Sequence, residues 1–217
     1  MQKLRDQSKC YMGKLNFLLP LVSMTDEQAM WRVQTTDDNA AFVRLVQRWE
    51  QPILRLCARM TGNLQQGEDL KQETFTRIFV RRKDFRQGSR FSTWLWRIAL
   101  NLCYDELRKR RRHGEFSLED GSDEAGYAWE QVSEEPAPDL RLASREECEL
   151  VRCALLRLPE ASRAVLVLRY CEGLKLREIA DILEIPETTA SSRIATGLAQ
   201  ITRLLEPQFD EMKGKIC

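Results

Sequence analysis

Apolar residues recur along this chain at intervals of three and four, the repeat of one buried helix face, and nowhere alternate as a strand requires. Between residues 40 and 60, Phe42, Leu45, Val46, Trp49, Ile53, Leu56, Cys57 and Met60 share one face, with Pro52 marking a kink or a restart. Thr61-Gly62-Asn63 reads as a turn, and a second helix covers 66–82 with Leu70, Thr74, Phe75, Ile78 and Phe79 inward. Gln87-Gly88-Ser89 interrupts the pattern again. A long helix follows over 92–112, capped by Ser92 and ending in the basic run Arg108 to Arg112, which suits the negative end of a helix dipole. Within it Trp94, Leu95 and Ile98 point to the core, which turns Trp96, Arg97, Asn101 and Arg108 outward. Helices resume over 141–157, 160–171, 175–183 and 187–205, with Pro159 in a first turn, Gly173 at an end, and Pro207 cutting the last one short.

The last two helices are separated only by Glu184-Ile185-Pro186-Glu187. Pro186 has no amide hydrogen to donate and pushes Ile185 out of the helical region, so one continuous helix is excluded. Two short helices across so tight a turn form a helix-turn-helix, which sets its second helix into the DNA major groove. The same pattern fits a packed helical hairpin, and the upstream sequence decides between them.

Composition changes little: 43% apolar residues fill packed cores and 31% charged residues keep the surface wet. No run reaches the ~18 apolar residues of a membrane helix. Leu15 to Val22, behind Lys3, Arg5, Lys9 and Lys14, has the outline of a signal peptide, but Asn16 and Pro20 interrupt it and no small-residue cleavage site follows. Residues 1–23 are expected to be a disordered tail, or an extension upstream of a start at Met24. Seven cysteines without a CxxC, and a lone histidine, His113, argue against a metal site. Cys57, Cys103, Cys153 and Cys171 fall in apolar helical patterns as small hydrophobes, and a reducing cytoplasm is the expected location.

Charge changes the picture more. Residues 24–113 hold 18 basic and 11 acidic side chains, whereas residues 114–148 hold 2 and 11. A basic first domain followed by an acidic, flexible, Gly- and Pro-bearing linker over 114–140 points to a polyanionic partner and a loose tether.

Two constellations stand out. Asp69, Gln72 and Glu73 lie one helical turn apart, on the face opposite Phe75. They form a solvated face or an acidic patch for a basic protein; acid–base catalysis would need a pocket and a helper, and neither is in evidence. The stretch from Phe91 to Asn101 interleaves aromatics with arginine and asparagine, the chemistry of single-strand binding by stacking and phosphate contact. An aromatic-rich core with a charged outer face would read the same way.

Taken in order, EDLKQETFTRIF, FSTWLWRIALNLCYDELRKRRR, the acidic linker and LPEASRAVLVLRYCEGLKLREIADILEIPETTASSRI resemble an extracytoplasmic-function sigma factor, the two-domain branch of the bacterial sigma-70 family. The similarity runs from about Ala40 to Leu205. It implies sigma domain two in 24–113, sigma domain four in 141–207 and a tail at 208–217. It also implies core RNA polymerase as partner, through the β′ clamp at Asp69, Gln72 and Glu73 and through the β flap. Promoter DNA would be melted and held single-stranded at the −10 element by Trp94, Trp96, Arg97, Asn101 and Arg108, and read as duplex at −35 by Thr189, Ser192 and Arg193. An anti-sigma partner belongs to the same expectation; a cofactor, a metal and an enzymatic activity do not. The chain departs from the family at Glu184, where a turn glycine is common, and in a recognition helix whose Ser191, Ala195, Thr196, Gly197, Leu198 and Gln200 are uncharged. The alternative is a stand-alone helix-turn-helix regulator that dimerises on a palindrome.

Overall fold

Helix α1 (Asp26–Thr36) falls in a stretch that the apolar pattern does not mark. Its start is set by a reciprocal cap: the Thr25 hydroxyl accepts from the Gln28 amide at 3.3 Å, and the Thr25 amide donates to the Gln28 side chain at 3.0 Å. Ala29, Met30 and Val33 form its short buried stripe. The structure, a computed structural model, describes the backbone of residues 24–113 and 148–216 and the side chains of 24–112 and 148–207. The expected N-terminal tail and acidic linker lie outside the described residues.

Asp38 caps α2 (Asn39–Thr61), accepting from the amides of Ala40 and Ala41 at 3.0 and 3.1 Å. The helix continues through Pro52 as one element, so no restart occurs there. Asn63 caps α3 (Leu64–Val80). The two helices approach so closely that a β-carbon on Gly67 would sit 2.9 Å from the Ala58 amide nitrogen. A short 3-10 turn (Arg82–Asp84) leads to α4 (Phe91–His113). This helix begins one residue before the expected Ser92 cap, and the Phe91 amide donates to Glu27 on α1 at 3.1 Å instead.

Helix α5 (148–156) opens the second half. It is followed by α6 (Glu160–Leu166), which widens into a π-turn over Val167–Cys171. Then come α7 (Leu176–Leu183) and α8 (Glu187–Ile216). The expected stop at Pro207 is corrected: α8 runs through it, because a proline inside a helix removes one hydrogen bond and crowds one carbonyl without forcing the remaining turns apart. Gly197, a weak point by helix propensity alone, lies against the Leu166 side chain, whose Cδ1 a β-carbon there would meet at 2.9 Å. Cys57 and Cys103 are buried as expected, whereas Cys153 is exposed. Among the described residues every regular element is helical, and the buried side chains of both halves merge into one core.

Candidate nucleic-acid and partner interfaces

Asp69, Gln72 and Glu73 are all exposed on α3, while Leu70, Thr74, Phe75 and Ile78 bury the opposite face. Glu73 pairs with Arg77 at 2.8 Å one turn on. Beside them a groove of about 290 Å3 opens between α3 and α4, walled by Glu73, Arg77, Asp105, Glu106 and Lys109. The three polar groups thus face outward over a firmly packed apolar back.

On α4 the expected outward set is only partly brought together. Trp96 is 2% exposed and packs edge-on against Trp49 with centroids 5.8 Å apart, so it is a core residue and not a stacking platform. The reason is burial on a broad arc: α4 packs on α2 and α3 on one side and on α7 on another, which a one-sided helix pattern does not anticipate. Trp94, expected inside, is only half-buried against Phe85 and Phe91. Trp94, Arg97, Asn101 and Arg108, spaced by three, four and seven residues, therefore lie along one side of the helix. Asn101 and Arg108 are exposed, and Arg108 pairs with Asp105 at 3.3 Å.

Arg97 is engaged by the second half of the chain. Its guanidinium meets the Glu184 carboxylate at 2.7 Å and donates to the Asp181 backbone carbonyl at 3.2 Å. Seven residues earlier, just before α4 begins, Arg90 pairs with Glu178 at 3.1 Å. On α8, Ser192 is exposed, and Thr189 and Arg193 are half-buried. Burial pushes the Tyr104 phenol on α4 up to about 12, and the charge of Arg193 on α8 opposes that rise.

Further contacts hold the halves together. Glu172, with a side chain 4% exposed, sits between Arg59 at 3.0 Å and Arg55 at 3.1 Å. Burial raises its carboxyl above the ordinary range, and the two arginines pull it back. Arg163, itself buried, donates to the carbonyls of Leu155 at 3.0 Å, Leu158 at 3.1 Å, and Met60 of α2. Arg111 reaches Glu160 at 2.6 Å. None of these residues was a candidate from sequence, because periodicity reports the face of one helix and not its partner a hundred residues away. Among the described residues there is no metal-ligand cluster and no helix long and apolar enough to cross a membrane.

Two family models match: Sigma-70 region 2 over residues 45–113 and Sigma-70, region 4 over residues 148–201. The chain is 36% identical to the ECF RNA polymerase sigma factor SigW of Bacillus subtilis, over 77% of this chain and 90% of that one. It is 32% identical to the RNA polymerase sigma-H factor of Pseudomonas aeruginosa, over 88% and 99% of the two chains. Similar solved structures are CnrH in complex with the cytosolic domain of CnrY (TM-score 0.59, 25% identity, 84% of this chain and 97% of that one) and the sigma factor RpoE in complex with the anti-sigma factor NepR from Bartonella quintana (TM-score 0.53, 25% identity, 75% and 96%). With the helix-turn-helix behind it, a polar-edged aromatic helix ahead of it and these matches across both, the chain belongs to the ECF branch of the sigma-70 family, the factors that bind core RNA polymerase and direct it to promoters.

Proposed function

We infer that residues 24–113 act as sigma domain two and residues 141–207 as sigma domain four, with the labour divided among named side chains. Asp69, Gln72 and Glu73 dock on the β′ clamp, and the second domain engages the β flap. Trp94, Arg97, Asn101 and Arg108 hold the displaced −10 strand, while Thr189, Ser192 and Arg193 face the −35 duplex. The observation that carries this reading is the α3 face, three exposed polar groups over a buried apolar back. The reading is of an initiation factor acting in the cytoplasm, with no chemistry of its own. An anti-sigma partner is part of it, because the similar chain RpoE was solved with the anti-sigma factor NepR.

A magnitude supports the need for the polymerase. Opening duplex DNA costs about 1.4 kcal/mol per base-pair step. A base captured on an aromatic ring returns about 1–3 kcal/mol. One half-buried ring cannot hold open a bubble of many pairs, so the rest must be held by a larger partner. Mixing the purified chain with core polymerase is the test: a stable holoenzyme that initiates at specific promoters is expected, and failure to form it would end the reading.

A further inference from the structure

We propose that α8 recognises its promoter duplex through thymine methyl groups, with Thr188, Ala195 and Thr196 as the residues that set specificity. The inference rests on the −35 reading given above to the second domain, and it names the base chemistry that reading leaves open. At the start of α8 the exposed residues fall in two rows, Glu187, Ser191 and Ala195 in one and Thr188, Ser192 and Thr196 in the other. Residues four apart lie above one another on a helix, and the two rows are neighbours, so together they make one continuous face. The opposite side is committed to the core by Ala190, Ile194 and Gly197. Thr189 and Arg193, both half-buried, sit at the margin of the face.

What that face offers decides what it can read. Its six positions carry a carboxylate, hydroxyls and the methyls of Thr188, Ala195 and Thr196, and no guanidinium, ammonium, amide or ring. In the major groove guanine is read by a bidentate arginine or lysine, and adenine by a bidentate asparagine or glutamine. The face holds neither kind. Hydroxyls both donate and accept, so they bond to several bases without choosing between them. A methyl group does choose, because thymine alone presents a methyl in the groove. Glu187 extends the preference to the other pyrimidine, since a carboxylate accepts from the cytosine amino group.

Side-chain length supports the same choice. An α-helix with its side chains is about 10–12 Å across, and the major groove is about 12 Å wide. Serine, alanine and threonine keep this side of α8 slim, so its backbone can lie deep and short methyl groups reach the base edges. The charge that grips phosphate then comes from outside the face. Lys175 and Arg177, exposed at the start of α7, are the basic residues of the motif's other helix, the one that crosses the DNA backbone.

The test uses the full chain loaded on core polymerase and a promoter library randomised at −35. Bound templates are expected to be enriched in A·T pairs there. In such a template, replacing each −35 thymidine by deoxyuridine removes the methyl and leaves every hydrogen-bonding group in place. Affinity is expected to fall about fourfold per contacted methyl, the loss that goes with one buried methyl group. Thr188→Ser and Thr196→Ser trim the protein side of the contact at exposed positions and keep the hydroxyl. At least one of them should lose about fourfold on the thymidine template and nothing further on the deoxyuridine template. Arg177→Ala, by contrast, should weaken all templates alike and reduce the salt slope by about 0.9. Enrichment of A·T pairs without a deoxyuridine penalty would mean that groove shape is read, and would overturn the proposal. So would templates with no A·T preference, or a penalty that neither serine variant diminishes. Failure of the chain to load on core polymerase would instead strike the polymerase reading; the same library offered to the free chain as duplex then decides the methyl contacts by the same outcomes.

Discussion

Asp69 and Glu73 are exposed on α3, where Glu73 holds only the exposed Arg77, so on the proposed reading reversing either charge would remove a docking group at little cost to the fold. Core-polymerase affinity should fall while thermal stability moves by no more than about 0.5 kcal/mol, as surface changes usually do. Titration of labelled protein with core enzyme, beside a melting curve, checks both halves of that statement. The two tryptophans of α4 should behave oppositely. Trp96→Ala empties a core site and should cost about 3–5 kcal/mol of stability. Trp94→Ala, at a half-buried ring on the polar edge, should cost less stability and more strand binding. Chemical denaturation and single-strand anisotropy on the pair separate the roles, and the opposite ranking would return the stacking role to Trp96.

At the scale of helices, Gly67 shows how packing overrides local preference. By propensity, alanine inside α3 would gain up to about 1 kcal/mol over glycine. Its β-carbon, however, would press on the backbone of Ala58, which cannot swing aside as a side chain can. Gly67→Ala is therefore expected to lower stability by about 1–3 kcal/mol, measured as a fall in unfolding midpoint. What the sequence makes legible follows the same division. Helices α2, α3 and α4 and the α7–α8 pair are written in apolar repeats long enough to outvote Pro52. Helix α1 was missed because only Ala29, Met30 and Val33 are buried, too few for a period, although the Thr25 and Gln28 capping pair marked its start. The Asp69, Gln72 and Glu73 face was legible because it belongs to one helix. Trp96 was misplaced because α4 is buried on a wide arc, and the Arg97 contacts were invisible because they join separate elements.

For the whole molecule, the buried Glu172 between Arg55 and Arg59 ties docking of the two halves to pH. Its carboxyl is raised in the docked chain, with burial the larger cause, and would return to the ordinary carboxylate range once undocked. The docked form then holds the extra proton between those two values, so docking is strongest below the ordinary carboxylate range, weakens as pH rises to the raised value, and levels off above it. Subtracting the melting profile of Glu172→Gln from that of wild type across the acidic range isolates the effect; a difference that grows with rising pH in favour of wild type would contradict it. The Arg97–Glu184 pair spans the two halves of the chain, so a substitution at Arg97 alters their docking together with the polar edge of α4, whereas one at Glu184 alters the docking alone. A phenotype mapped to Arg97 therefore needs the Glu184 variant beside it before it can be assigned to either.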